Sequence, residues 1–247
     1  MKITSVNNDI VKDTAKLLRG KYRDESGLFL IEGEKGVKEA VIAGVEIIRI
    51  FVLENSNLFS GEEVVETTEA VLAKISDAKT PPNVVAIAKK PKFDADNFKN
   101  YKKVVLLEGI KDAGNLGTIL RTAAAFGIDG IVLYGDTVDL FNPKCVRSTV
   151  GCLWKVPVVQ INEFDQLKQM FAEHERVATL PKGLNVIPLD EYKPTNKTLV
   201  MFGSEADGLS SELKDFATQN VTIEMAENVE SLNLSVSAAV IMYKIRG

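Results

Sequence analysis

Apolar residues along this chain fall into short continuous runs separated by stretches with a period near 3.6, so strands and helices follow one another. Near the start, Asn7 or Asn8 can cap a helix whose Val11, Ala15 and Leu18 share a face, and Gly20 can end it. The pattern then predicts a strand near 28–32, a helix near 34–43, a strand at 47–53, a helix around 69–77 and, after Pro81-Pro82, a strand at 83–88. This alternation spells a small α/β unit. Residues 89–103 carry Pro91, several Asp, Asn and Lys residues and no periodicity, which reads as a linker. A boundary near residue 95 divides the chain into domains 1–95 and 96–247.

The second part repeats the alternation, with strands expected near 104–107, 130–134, 156–160, 177–180, 198–202 and 221–223. Continuous Val/Ile/Leu strands separated by helices argue for a parallel sheet covered on both faces. Such sheets bind ligands beyond the carboxyl ends of their strands.

Three strings begin at such ends. The first, Glu108-Gly109-Ile110-Lys111-Asp112-Ala113-Gly114-Asn115-Leu116-Gly117-Thr118-Ile119-Leu120-Arg121, follows an apolar run and opens a helix. The second, Met201-Phe202-Gly203-Ser204-Glu205-Ala206-Asp207-Gly208-Leu209, is again strand and glycine-bounded turn. In the third, Val229-Glu230-Ser231-Leu232-Asn233-Leu234-Ser235-Val236-Ser237, small polar residues crowd the front of an apolar helix. They suit either a capped core helix or a ligand edge presented to free helix-start N–H groups.

In this order and at these separations the three strings resemble the motifs of the SpoU (TrmH-like) RNA ribose 2′-O-methyltransferases of the SPOUT superfamily, over about residues 103–247. The resemblance implies an α/β fold, a SPOUT-type parallel sheet with a C-terminal trefoil knot, preceded by a small α/β substrate-binding domain. It implies S-adenosylmethionine as cofactor, no metal, and a homodimer that an apolar helix at 234–245 would suit. Cofactor contacts fall by resemblance on Gly203, Ile223, Met225, Leu232 and Ser231. Gly203 would bring backbone close to the ligand, and Ile223 and Leu232 would wall the adenine.

Arg121 matches the arginine that the family places at the reacting ribose. Its guanidinium is costly to deprotonate, so holding a phosphate and stabilising a developing alkoxide is the cheaper role, although a base role is also proposed in the family. Asn115 can cap its helix and orient Arg121, Glu205 is the best-placed carboxylate to fix or accept from these groups, and Asn233 completes the polar wall. Asn142-Pro143-Lys144 with Arg147-Ser148-Thr149-Val150-Gly151 resembles a family segment expected to touch RNA or the second subunit.

Some residues depart from the family pattern. Ala113 stands in place of proline, and Ala206 and Asp207 replace a commoner glycine and a variable or basic residue. Glu224 replaces the proline before Met225, which is expected to weaken or alter cofactor binding without abolishing it. The string Phe29-Leu30-Ile31-Glu32-Gly33-Glu34-Lys35-Gly36-Val37-Lys38-Glu39-Ala40 resembles the N-terminal RNA-binding domains carried by enzymes of this layout.

A dinucleotide-binding fold is excluded by spacing, because Gly109, Gly114 and Gly117 do not form G-x-G-x-x-G and no phosphate-binding P-loop occurs. No run approaches the roughly 20 apolar residues of a membrane span, and the N-terminus lacks a secretory core, so a cytoplasmic location is expected. Cys145 and Cys152 fit no metal spacing and are expected as reduced, packed thiols. His174 sits in a polar segment expected to be a surface helix. The net charge of −4 argues against a nucleic-acid partner until its distribution is read. Residues 1–23 hold Lys2, Lys12, Lys16, Arg19, Lys21 and Arg23 against only Asp9 and Asp13, which suits an RNA-facing arm.

These observations lead to an S-adenosylmethionine-dependent RNA methyltransferase forming 2′-O-methylribose, with 23S ribosomal RNA as the expected substrate. Transfer RNA as substrate, a non-catalytic RNA-binding factor keeping the fold, and methylation of a base are the alternatives.

Overall fold

The computed structural model describes residues 1–183 and 185–246. In chain order, the first elements are β1 (Lys2–Ile3), α1 (Asp9–Lys16), α2 (Gly20–Ser26), β2 (Leu28–Glu32), α3 (Glu34–Ile42), β3 (Ile47–Leu53), β4 (Val64–Thr67), α4 (Glu69–Lys74) and β5 (Val84–Lys89). Then follow β6 (Lys103–Glu108), α5 (Ala113–Phe126), β7 (Gly130–Tyr134) and α6 (Pro143–Ser148). The chain ends with β8 (Val158–Ile161), α7 (Phe164–Met170), β9 (Glu175–Thr179), β10 (Ile187–Pro188), β11 (Thr198–Phe202), α8 (Ser211–Phe216), β12 (Gln219–Thr222) and α9 (Leu234–Ile245).

Two compact units result, one of residues 1–92 with 139–155 and the other of residues 93–138 with 156–247. The break falls close to the linker read from the sequence. The stretch 139–155, which lies beyond that linker, packs with the first unit.

The first unit is built on a sheet of order β1-β4-β3-β5-β2, in which β2 and β3 run antiparallel to β5 while β4 runs parallel to β3 and β1. Asn8 caps α1 by accepting from the Ile10 N–H at 2.9 Å. The helix expected to end at Gly20 stops earlier, at Lys16, and Gly20 instead opens α2. One face of the sheet buries Leu30, Phe51, Val65, Val85 and Ile87 against Val11, Leu17, Val71 and Leu72.

From 139–155, α6 packs on β2, with Phe141 and Trp154 against Phe29. Arg147 donates to the buried Glu32 carboxylate at 2.9 Å and reaches Asp77 at 3.3 Å. This arginine, expected at RNA or a second subunit, is therefore engaged inside its own unit. Arg23 of the basic arm is likewise structural. It is buried, reaches Asp139 at 2.6 Å and donates to the Leu17 carbonyl at 2.8 Å. Lys2, Lys12 and Lys16 form exposed ion pairs with Glu54, Asp9 and Asp13, which water and salt screen. Arg19 makes no ion pair among the described residues.

The second unit is a seven-stranded sheet of order β10-β12-β9-β11-β6-β7-β8, parallel throughout. Val104, Leu106, Val132, Leu199 and Met201 are buried together at its centre. From β6 the chain steps to β7 and β8 on one side and returns on the other with β9, β11 and β12. The order thus reverses between β6 and β11, where open parallel sheets bind ligands.

His174 is a correction to the sequence reading. It is 3% exposed in the turn after α7, with Nε2 2.7 Å from the Tyr101 carbonyl oxygen. Burial pushes its pKa below the ordinary value of 6.5. Neither Cys145, which is buried, nor Cys152, which is half-buried, forms a disulfide. No helix among the described residues is long and apolar enough to cross a membrane.

Candidate active site

The loop after β6 turns at Gly109, whose φ of +64° suits glycine, and leads to Asp112. Asp112 caps α5 by accepting from the Asn115 N–H at 2.8 Å. Asn115, expected as a possible cap, stands three residues further on and its side chain is free for other work. Its Nδ2 donates to Glu205 Oε1 at 2.6 Å, and its Oδ1 accepts from Asn233 Nδ2 at 3.1 Å. One residue from each of the three strings thus meets in a single hydrogen-bonded chain.

The loop after β11 is closed on itself. Ser204 and Gly208 form a bridge, the Gly208 N–H donating to the Ser204 carbonyl at 3.1 Å. A Cβ on Gly203 would lie 1.9 Å from the Gly208 carbonyl carbon and 2.2 Å from the Leu209 nitrogen. The sequence reading had Gly203 admit a ligand to the backbone. In the structure its missing side chain first admits the loop's own backbone. Glu108, at the end of β6, accepts from the Ser210 N–H at 2.8 Å and ties this loop to the neighbouring strand. Tyr134 donates to Glu212 at 2.9 Å on α8, and burial, then that hydrogen bond, pushes its phenol up to about 12.

A cleft of about 610 Å³ opens at the carboxyl ends of β9, β11 and β12. Gly203, Glu205, Ile223, Met225, Ser231, Leu232 and Asn233 all line it, so every expected cofactor residue and two of the expected catalytic residues come together. Thr179, Leu180 and Pro181 line it too. Sequence reasoning missed them, although their place at the end of a strand beside β11 was the available signal. Met225 and Leu232 are each 37% exposed, an apolar wall that no side chain covers. Neither makes a backbone hydrogen bond among the described residues. Glu224 is exposed and does not line the cleft.

Arg121 is the exception. It lies on α5 six residues after Asn115, is exposed and does not line the cleft, and its side chain makes no hydrogen bond or ion pair among the described residues. The helix α9 packs along α5, with Asn233 beside Asn115 at one end and Tyr243 edge-on to Phe126 at the other. The two helices therefore run parallel. This places the exposed Thr118, Arg121 and Ala125 of α5 at the heights of the exposed Val236, Val240 and Tyr243 of α9.

Residues 102–243, more than half of the chain, match the SpoU rRNA Methylase family. The chain belongs to the SpoU rRNA methylase family. Residues 8–86 match the MRM3-like substrate binding domain. The 23S rRNA (guanosine(2553)-2'-O)-methyltransferase of Bacillus subtilis is 32% identical to this SpoU protein, over 100% of the chain and 99% of its own length. The crystal structure of an AdoMet-bound rRNA methyltransferase from Sinorhizobium meliloti superposes with a TM-score of 0.89 at 30% identity, covering 100% of this chain and 97% of that one. The SpoU methyltransferase AviRb from Streptomyces viridochromogenes, solved in complex with the cofactor AdoMet, gives a TM-score of 0.86 at 26% identity, with 97% of each chain covered.

The cleft of this SpoU chain fits S-adenosylmethionine on its own chemistry. Its volume lies in the range of about 300–1,000 Å³ usual for small-molecule sites. Ile223, Met225 and Leu232 offer apolar surface for a flat base. The open main chain beside them can read that base's polar edge, while Ser231, Asn233 and Glu205 supply polar groups. Among the described residues no group of three or more His, Cys, Asp or Glu side chains is arranged to hold a metal ion.

Proposed function

We propose that this SpoU chain is an S-adenosylmethionine-dependent methyltransferase that forms 2′-O-methylribose in 23S ribosomal RNA. The observation that carries the proposal is the hydrogen-bonded chain Asn233–Asn115–Glu205, two of whose members line the cleft while the third fixes them. Family membership and the resemblance to 23S rRNA 2′-O-methyltransferases support the same reading.

S-adenosylmethionine supplies a methyl group already activated on a sulfonium. The chain's own residues then bind, orient and manage the proton. Ile223, Met225 and Leu232 hold the adenosine side of the cofactor, with Ser231 and the turn at Gly203 beside them. The Glu205 carboxylate, held by Asn115, takes a hydrogen bond from the ribose 2′-hydroxyl and receives its proton directly or through water. Asn233 closes the polar wall. The Arg121 guanidinium binds the adjoining phosphate and stabilises the developing alkoxide.

Arg121 stands outside its own chain's cleft, so we assign it to the cleft of a second copy. The surface of Val236, Val240 and Tyr243 beside it suits a homodimer in which α5 and α9 form the contact. In this reading domain 1–95 holds the RNA, with Arg19 and the lysines of its basic arm toward phosphate, and domain 96–247 carries the chemistry. The trefoil knot and a cytoplasmic location complete it. Transfer of a labelled methyl group to ribosomal RNA tests the reading.

A further inference from the structure

The polar chain at the cleft has a direction. Asn233 Oδ1 receives two donors from Ser235, the backbone N–H at 2.9 Å and the Oγ hydroxyl at 2.6 Å. Its Nδ2 is left to donate to Asn115 Oδ1 at 3.1 Å, and Asn115 Nδ2 is left to donate to Glu205 Oε1 at 2.6 Å. An amide has nearly the same shape either way round, so the two ends decide which way it points. At one end stand two donors from one residue, and at the other a carboxylate that only accepts. Turning Asn233 over would set its NH₂ against the Ser235 backbone N–H, which can only donate, while the hydroxyl adds a second bond to Oδ1 in the observed orientation. Turning Asn115 over would set its carbonyl against Glu205.

Ser235 is 8% exposed in the first turn of α9 and does not line the cleft. Capping of α9 needs only its backbone N–H, which leaves the buried hydroxyl with a second purpose. We propose that Ser235 is a positioning residue whose hydroxyl holds Asn233, and through it Asn115, in the orientation that presents a donor to Glu205. This inference rests on reading the cleft as a methyltransferase site. Its bearing on rate follows from geometry, since a reacting group held loosely is far less effective.

The test is the rate of methyl transfer by Ser235→Ala, Ser235→Cys and Ser235→Thr, with thermal melting as the check on folding. Loss of one hydrogen bond predicts a fall in kcat of about tenfold for the alanine variant, with KM for RNA and cofactor within about twofold. Threonine, which keeps the hydroxyl, recovers most of the loss, and cysteine, a weaker donor, falls between. In an Asn233→Asp background, which keeps the cap but cannot donate to Asn115, Ser235→Ala has no further effect on the single-turnover rate. Three results would overturn the inference: an alanine variant as fast as the parent, a loss confined to KM, or an equal loss in the Asn233→Asp background. A parent protein that methylates neither ribosomal nor transfer RNA overturns the methyltransferase reading itself, and the inference with it.

Discussion

Asn115 donates its side-chain amide to Glu205 at 2.6 Å across 90 residues of chain. The contact joins the first turn of α5, which follows β6, to the loop after β11, the two strands being neighbours between which the sheet order reverses. It holds a carboxylate at the edge of the cleft without neutralising it, since an amide brings no charge.

That arrangement predicts the behaviour of Glu205→Gln. The amide can still meet Asn115 but takes no proton, so kcat falls by about 100-fold or more, the usual scale of a lost general base. S-adenosylmethionine affinity, measured by calorimetry, stays within a few-fold. A variant with parental turnover would remove Glu205 from the mechanism.

Arg121 gives a test of the assembly as well as the chemistry. Arg121→Ala should abolish transfer and leave cofactor affinity within a few-fold. Mixing it with Asn233→Ala should restore activity, because a mixed dimer then holds one cleft with an intact Asn233 and an intact arginine from the neighbour. If Arg121 served its own chain's cleft, every site in the mixture would carry one lesion and no activity would return.

Gly203→Ala should act through folding of the loop. A methyl group 1.9 Å from the Gly208 carbonyl carbon forces the backbone apart, at a cost of about 3 kcal/mol. Thermal melting should fall, and cofactor binding should weaken with it. An alanine variant with parental melting temperature and affinity would show that the loop opens freely.

Much of this was legible in the sequence because it is local. The apolar runs at 104–107, 198–202 and 221–223 marked parallel strands, and their carboxyl ends carried Asn115, Glu205 and Ile223 toward one place. Less local features escaped. The two-residue strands β1 and β10 have no pattern of their own and exist only through pairing with β4 and β12. Nothing in residues 139–155 says which unit they will join, since the contacts of Arg147 with Glu32 and Asp77 span 115 and 70 residues. Position along α5 placed Arg121 on the right helix but could not say which cleft it serves. His174 was misread because Glu173 and Glu175 flank it, while its partner, the Tyr101 carbonyl, is 73 residues away.

His174 makes stability depend on pH. Burial holds its folded-state pKa below 6.5, so below that pH the unfolded chain binds a proton that the folded chain refuses. The stability contributed is present above about pH 6.5 and is lost as pH falls toward the folded pKa. The melting temperature should therefore drop between pH 7.5 and 5.5, and drop less in His174→Gln. Equal slopes for the two proteins would contradict this.

The central claim is tested most directly by incubating the protein with labelled S-adenosylmethionine and unmodified 23S ribosomal RNA or, separately, transfer RNA, then digesting with nuclease to locate the label. The account predicts label in a 2′-O-methylnucleoside of the ribosomal RNA. Label in a base, label only in transfer RNA, or no transfer from a protein that still binds ribosomal RNA would contradict it.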